Sequence, residues 1–187
     1  MKDMEYFDGI EISEEEFAKY TKFMHDVHNR EFHLKRADVL GLAPVGAKVL
    51  PGALIDRSSV KIGKNVVFSY YCYVNGNVTL GDNVIIGPHC AITAGNHKFD
   101  PATQAFTARD NQDKDVSIVI GDGSWLGNCV TVTAGTKIGK ANLICAGAVV
   151  TKSTPDYAIM AGVPAKQVGE INPKTGEYLW YSKKGED

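Results

Sequence analysis

The sequence predicts an all-β solenoid, a parallel β-helix of six-residue repeats, on three observations. Counting in sixes from Ile62 meets Ile62, Phe68, Val74, Leu80, Ile86 and Ile92, all apolar. Four residues after each of the first five stand Val66, Cys72, Val78, Val84 and Cys90, all small or β-branched. The pattern then fails and resumes in a shifted register at Ile120, Leu126, Val132, Ile138, Ile144 and Val150. A sustained six-residue period is the mark of a β-helix. One repeat cannot bury its own apolar residue, and the repeats stacked on it supply the core. Three hexapeptides make one triangular coil, so about eleven or twelve repeats predict roughly four coils.

The chain divides into a helical segment over 1–47, the solenoid over 48–168 and a tail over 169–187. Ser13-Glu14-Glu15-Glu16 has the form of a capping box, with Glu16 reaching back to the backbone of Ser13. Phe17, Tyr20, Met24 and Val27 follow at helical spacing, which predicts a helix from about 14 to 33. Three acidic residues suit the positive end of its dipole. His25, His28 and His33 fall on it. With no third ligand evident, they read as surface or packing histidines.

The solenoid starts weakly near Val49 and Leu50 and becomes regular at Val60. Its corners carry Gly63-Lys64-Asn65, Gly81-Asp82-Asn83, Gly121-Asp122-Gly123 and Gly139-Lys140, residues that tolerate positive φ. The separation of Ile92 and Ile120 is not a multiple of six, so the segment over about 95–117 reads as an extruded loop. A loop tolerated by a rigid repeat is often where function sits. The residues from Ala102 to Asp115, with Arg109, Asp110, Asn111 and Gln112, could hold a sugar or equally be a solvated excursion. Past Ala161-Gly162-Val163-Pro164-Ala165, a turn leads to Tyr178, Leu179, Trp180 and Tyr181. That cluster could stack on a sugar, cap the open end of the solenoid or pack on a neighbouring subunit.

Composition excludes several classes. A net charge of −2 and a pI near 6.2 leave no basic footprint for nucleic acid. No apolar run approaches the roughly 18–20 residues of a membrane span. The N-terminus lacks the basic and apolar regions of a secretory signal, so the expected location is the cytoplasm. Cys72, Cys90, Cys129 and Cys145 have no zinc-ligand spacing. Cys72 and Cys90 share a repeat position and are expected to stack in the core as reduced thiols, with a disulfide or a nucleophilic thiol as the alternatives.

His97 lies in the loop between Asn96, Lys98 and Asp100. Imidazole is the usual general base for activating a hydroxyl. Four elements then occur in fixed order: Thr93-Ala94-Gly95-Asn96-His97-Lys98-Phe99-Asp100-Pro101, Ile120-Gly121-Asp122-Gly123-Ser124-Trp125-Leu126-Gly127-Asn128, Gly147-Ala148-Val149-Val150-Thr151-Lys152 and Ala161-Gly162-Val163-Pro164-Ala165-Lys166. Together they resemble the maltose/galactoside O-acetyltransferase group of hexapeptide-repeat, left-handed β-helix acyltransferases, over about residues 50–168.

The resemblance implies an acetyl-CoA-dependent O-acetyltransferase that acts on a sugar or related polyol as a homotrimer and requires no metal. His97 matches the catalytic histidine, and Asn128 the position whose backbone N–H meets the thioester oxygen. Trp125 matches a residue lining the cofactor channel, Ala146 a backbone contact to pantetheine, and Thr151 and Lys152 contacts further along CoA. Lys166 stands where relatives often carry an arginine near the CoA phosphates; lysine keeps the charge and loses the bidentate geometry. Relatives usually show an Asn-Phe-Asn element that contacts the acceptor. The matching stretch here, Phe68-Ser69-Tyr70-Tyr71-Cys72, makes Ser69 and Tyr71 the acceptor candidates beside His97. An acceptor-binding aspartate of relatives has no match within 1–47, and Asp100 is a candidate to orient the imidazole.

An antibiotic hydroxyl or an amino sugar is the alternative acceptor. A zinc hydrolase on the same solenoid needs three converging histidines, and only His89 and His97 lie in the solenoid region. A purely structural solenoid would not need His97, Trp125 and Lys152 together.

Overall fold

The computed structural model describes residues 5–7, 10–11, 13–26, 30–106 and 115–181. The N-terminal segment contains two helices, α1 (Glu14–Asp26) and α2 (Arg30–Val39). The capping box forms: Ser13 N–H donates to Glu16 Oε2 at 3.0 Å, and Glu16 N–H to Ser13 Oγ at 3.3 Å. Of the helix expected over 14–33, residues 27–29 lie outside the described residues, and helical structure continues to Val39. Apolar periodicity stops at Val27, so it could not register α2, which has no apolar stripe. What supports α2 is a Glu31–Lys35 ion pair at 2.8 Å, one helical turn apart, and burial of Ala37 against the first coil. It ends in a Schellman motif around Gly41 at φ 67°: Leu42 N–H donates to Ala37 O, and Gly41 N–H to Asp38 O. Phe17, Tyr20 and Phe23 on α1 are exposed. His33 lies on α2, while the side chains of His25 and His28 fall outside the described residues.

The solenoid has three faces. On the first, Lys48–Val49, Val67–Phe68, Ile85–Ile86, Trp125–Leu126, Leu143–Ile144 and Ala158–Ala161 stack in parallel. On the second are Leu54–Ile55, Tyr73–Gly76, Ala91–Ala94, Thr131–Val132 and Val149–Val150. The third holds Lys61–Ile62, Val78–Leu80, Ile118–Ile120 and Lys137–Ile138. Four complete coils, two strands of a fifth and the first strand of a sixth result, more than the four expected. The repeat count began where the pattern is regular, but the irregular stretch from Lys48 is already coiled. At the other end Met160 pairs with Ile144 although the chain between them is shorter than a full coil.

Each hexapeptide turns two residues inward. Phe68, Leu80, Ile86, Ile92, Ile120, Leu126 and Ile144 are almost wholly buried. Val66, Cys72, Val78, Val84 and Cys90 fill the second inward position through the third coil. In the later coils that position holds Ser124, Val130, Thr136, Asn142, Ala148 and Thr154, four of them polar and buried. Three form a network. Ser124 Oγ donates to Gly139 O at 2.9 Å and accepts from Asn142 N–H at 3.1 Å. Asn142 Nδ2 donates to Lys140 O and Pro155 O, and its Oδ1 accepts from Thr154 Oγ1 at 2.7 Å. Thr154 Oγ1 in turn accepts from Gly139 N–H. Thr136 Oγ1 has no hydrogen-bond partner among the described residues.

The chain leaves the second face after Ala94 and rejoins the third at Ile118. Within this excursion Phe99–Asp100 pairs antiparallel with Ala105–Phe106. The re-entry is tied down by Asp115, which accepts from Lys137 Nζ at 3.0 Å and Ser117 N–H at 2.9 Å. The Ser117 hydroxyl, then Lys137, hold its carboxyl down to about 2. This anchor is therefore in place above the ordinary carboxylate range and is lost only as pH falls through about 2. At the C-terminus, Lys166–Ile171 pairs antiparallel with Ala158–Ala161, and Tyr178–Trp180 with Lys166–Ile171. These strands extend the first-face sheet and leave Tyr178, Leu179, Trp180 and Tyr181 exposed. No helix among the described residues is long and apolar enough to cross a membrane.

Asn142→Leu should strip partners from the Lys140 and Pro155 carbonyls and the Thr154 hydroxyl, lowering stability by about 2–4 kcal/mol. Thr136→Val, which removes a hydroxyl with no bond to lose, should leave stability unchanged or raised. Midpoints of chemical denaturation measure both.

Candidate active site

The corner between the first and second faces is made the same way in every coil. One residue there sits at positive φ: Gly52 (73°), Tyr71 (54°), His89 (57°), Cys129 (58°) and Gly147 (72°). Above the first coil, its N–H donates to the coil below: Tyr71 to Pro51 O, His89 to Tyr70 O, Cys129 to Pro88 O and Gly147 to Asn128 O, at 2.8–3.2 Å. These five residues form a column, one per rung, about 4.8 Å apart.

The residue just before each column member has its N–H on the outside of the corner, where the coil offers no acceptor. Pro51 and Pro88 occupy this place in the first and third coils and have no N–H to satisfy, and Tyr70 occupies it in the second. Asn128 and Ala146 occupy it in the fourth and fifth. Neither backbone N–H donates to any acceptor among the described residues, and both residues are exposed. A side chain at Gly127 would come within 2.8 Å of Ala146 N, so glycine there keeps the two rungs in contact. Two free, rigidly held N–H groups one rung apart are what stabilisation of a developing oxyanion or capture of an amide carbonyl requires.

The other candidates for the donor site spread over the same upper coils. Trp125 points outward from the first face between Ile85 and Leu143 and is 49 % exposed. Its backbone N–H donates to Asn142 O at 2.8 Å, so the buried polar network seats it. Thr151 and Lys152 follow Val149–Val150, exposed at the far end of the second face. From Ala148 to Thr151 the chain runs along the second face for about 10 Å. Lys166 is exposed at the start of its strand, after a turn held over Val149 by Ala165 N–H to Val149 O at 2.8 Å.

Ser69 and Tyr71 lie on the Asn128 corner, two coils lower. Ser69 is half-buried, its N–H donating to Ile86 O at 3.0 Å. The exposed Tyr71 ring stacks on His89, centroids 5.4 Å apart and planes within 12°. His89 was not singled out as a site residue from the sequence. The signal available was its place at a corner where glycine or asparagine is expected, three hexapeptides after Tyr71.

His97 is exposed, three residues beyond Ala94. The chain departs there from the end of the second face opposite the Asn128 corner. Asp100 is committed to the loop's own turn: Oδ1 accepts from Ala102 N–H at 2.9 Å and Oδ2 from Thr103 Oγ1 at 3.0 Å. These bonds, the Ala102 N–H foremost, lower the pKa of its carboxyl. Arg109, Asp110, Asn111 and Gln112 lie outside the described residues.

All four cysteines are free thiols. Cys72 and Cys90 are buried, and Cys90 Sγ donates to Gly127 O at 3.0 Å. Burial, reinforced by the Cys90 thiol, pushes the Cys72 thiol up to about 12. Cys129 is exposed beside Asn128. Among the described residues no three His, Cys, Asp or Glu side chains converge as a metal site.

Comparison with known proteins agrees with the repeat architecture. The family described as bacterial transferase hexapeptide (six repeats) matches residues 59–94. A putative acetyltransferase of Schizosaccharomyces pombe is 34 % identical over 165 residues, which cover 82 % of this chain and 77 % of that one. The galactoside O-acetyltransferase of Escherichia coli is 30 % identical over 69 % of this chain, and the match spans 63 % of that relative, less than two-thirds of its length. Among solved structures, a hexapeptide-repeat acetyltransferase of Vibrio cholerae complexed with acetyl coenzyme A superposes with a TM-score of 0.56 at 19 % identity. The superposition covers 79 % of this chain and 88 % of that one, and shows the shared fold.

The corner geometry makes the four thiols unequal. Iodoacetamide on the folded protein should label Cys129 first and leave Cys72 and Cys90 unmodified until denaturant is added, as peptide mass spectrometry will show.

Proposed function

This chain belongs to the hexapeptide-repeat acetyltransferases, and from that membership we propose that it moves an acetyl group from acetyl-CoA to a hydroxyl of a sugar or related polyol, with His97 as general base. The observation that carries the reading is the free N–H of Asn128, presented on a rigid exposed corner with that of Ala146 one rung above. The galactoside acceptor of one relative supports a sugar, and the acetyl coenzyme A bound by a structural neighbour supports the donor.

The residues then divide the work. The His97 imidazole takes the proton of the acceptor hydroxyl as its oxygen attacks the thioester carbon. The Asn128 N–H donates to the oxyanion that forms, and collapse expels the CoA thiolate, which recovers the proton from the imidazolium. Ala146 N–H holds a pantetheine carbonyl, and Trp125 walls the channel. Thr151 and Lys152 contact the cofactor further along the fifth coil, and Lys166 meets its phosphates. No step needs a metal. Ser69 and Tyr71 face the acceptor from the lower coils.

The loop that carries His97 departs from the end of the second face opposite the Asn128 corner, and in the proposed site His97 of one protomer meets Asn128 of the next. This favours a homotrimer with sites between subunits. Acetyl-CoA supply places the reaction in the cytoplasm.

Asn128→Pro removes the backbone N–H together with an exposed carboxamide, at a rung position where Pro51 and Pro88 already fit, and Asn128→Ala is the control that removes the carboxamide alone. The proline variant should lower kcat about 10²–10³-fold with the thermal midpoint little changed. His97→Ala should lower kcat about 10²–10⁴-fold while acetyl-CoA still binds by calorimetry. Co-expressed, Asn128→Pro and His97→Ala should recover part of the activity, because mixed trimers contain intact sites; no recovery, or a monomer by sedimentation, would count against the shared site. Lys152→Ala should raise the KM for acetyl-CoA more than it lowers kcat, since a contact remote from the thioester stabilises ground and transition states alike.

A further inference from the structure

Three members of the corner column, Tyr71, His89 and Cys129, are non-glycine residues in a left-handed conformation. A left-handed backbone suits the glycines at 52 and 147, but a bulky side chain such as tyrosine adopts it at a cost. Tyr71 and His89 carry it on consecutive rungs, at φ 54° and 57°, with both side chains exposed. Asparagine would keep the corner with less strain, and the equivalent column at the corner between the third and first faces has Asn65 and Asn83 in its lower coils, with Gly123, Ala141 and Tyr157 above them. Strain retained at exposed positions points to a use for the side chains themselves.

The two rings lie parallel, 5.4 Å apart, and fix each other's orientation. Cys129 and Asn128 stand one rung above His89. Below, the Tyr71 ring overlies Gly52, where a Cβ would come within 2.3 Å of Tyr71 Cδ1. Gly52 in turn lines a cleft of about 440 Å³ between α2 and the first coil, with Phe32, Val39, Leu40, Val49 and Ala53 among its walls. The volume is that of a small-molecule site. Lys35 and Arg36 also line it; the Lys35 charge is met by Glu31 at 2.8 Å, and apolar side chains make up most of the remaining wall, so the cleft suits an apolar group. From the Asn128 rung to the Gly52 rung is about 14 Å.

We propose that the Tyr71–His89 pair is a wall against which the acceptor's ring is held, and that the cleft below receives an apolar group joined to that ring. The acceptor is thus an amphiphile, a hydroxylated ring with an apolar substituent, and His89 is a specificity residue beside Tyr71. The ring edges supply a phenol hydroxyl and imidazole nitrogens to the acceptor's hydroxyls, and their carbons contact its C–H groups. The inference rests on the acetyl-transfer reading for the chemistry, but its binding component can be measured without turnover.

Methyl and octyl β-D-glucopyranoside serve as probes, by CoA release and by calorimetry without acetyl-CoA. The octyl compound should show at least 10-fold higher kcat/KM and measurable binding. Tyr71→Asn and His89→Asn should each raise the KM for octyl glucoside at least 5-fold, leave the KM for acetyl-CoA unchanged, and keep or raise the thermal midpoint. Val39→Asp, at an exposed position of the cleft, should erase the octyl advantage. Octyl binding that these variants weaken, in a protein that acetylates nothing, would support the wall and cleft while removing the transferase reading. Acetylation of both glucosides at equal rates, unaffected by Tyr71→Asn and His89→Asn, would overturn the inference and leave the transferase standing. If wild-type protein binds no glucoside and Val39→Asp lowers its sedimentation coefficient, the cleft is a contact with a second copy and the inference falls.

Discussion

Each coil of this protein closes its first corner on a single left-handed residue whose N–H reaches the carbonyl of the coil below. The rest of the molecule depends on that bond. It fixes the spacing of the rungs, brings the flat strands into parallel register and turns the preceding N–H outward. A position with no acceptor inside the coil is a liability where it is not used, and proline removes it at 51 and 88. At 128 and 146 the donors are kept. The corner that makes the fold repeat is thus also the place where the fold can hold a charge that appears only during reaction.

The column gives the site a direction. Above Asn128 the surface carries Ala146, and then Thr151 and Lys152 along the fifth coil, the proposed path of the cofactor. Below it stand His89, Tyr71 and Gly52, leading to the cleft against α2. Rigidity behind this surface differs between the two halves. The lower coils are filled by Val66, Cys72, Val78, Val84 and Cys90, packed without directional bonds. The upper coils are cross-tied by Ser124, Asn142 and Thr154, and Asn142 O also holds the backbone of Trp125. The half that carries the proposed thioester contacts is the half whose core specifies position as well as volume.

Much of this was legible in the chain. The six-residue period of apolar residues named the solenoid because inward direction recurs with that period whatever the neighbours do. The mismatch between Ile92 and Ile120 located the excursion that carries His97, and the capping box located the start of α1. Reading failed where structure rests on contacts rather than period. Helix α2 has no apolar stripe and is held by an ion pair, a Schellman end and the first coil. The first coil is irregular in sequence and is held by stacking on the second, so the coils were undercounted.

By itself, then, the sequence determined the architecture and the chemical types at the site, since both follow from local periodicity and from motifs in fixed order. Only the tertiary structure decided which residues share a corner. That Tyr71, His89 and Cys129 form one column, that Asn128 and Ala146 keep free N–H groups one rung apart, and that His97 leaves from the opposite end of the second face all depend on how far the chain travels between equivalent corners. The distance is three hexapeptides in one coil and more than twice that across the excursion. Separation along the chain cannot reveal such neighbours, because the stacking bonds that create them run between coils and not along them.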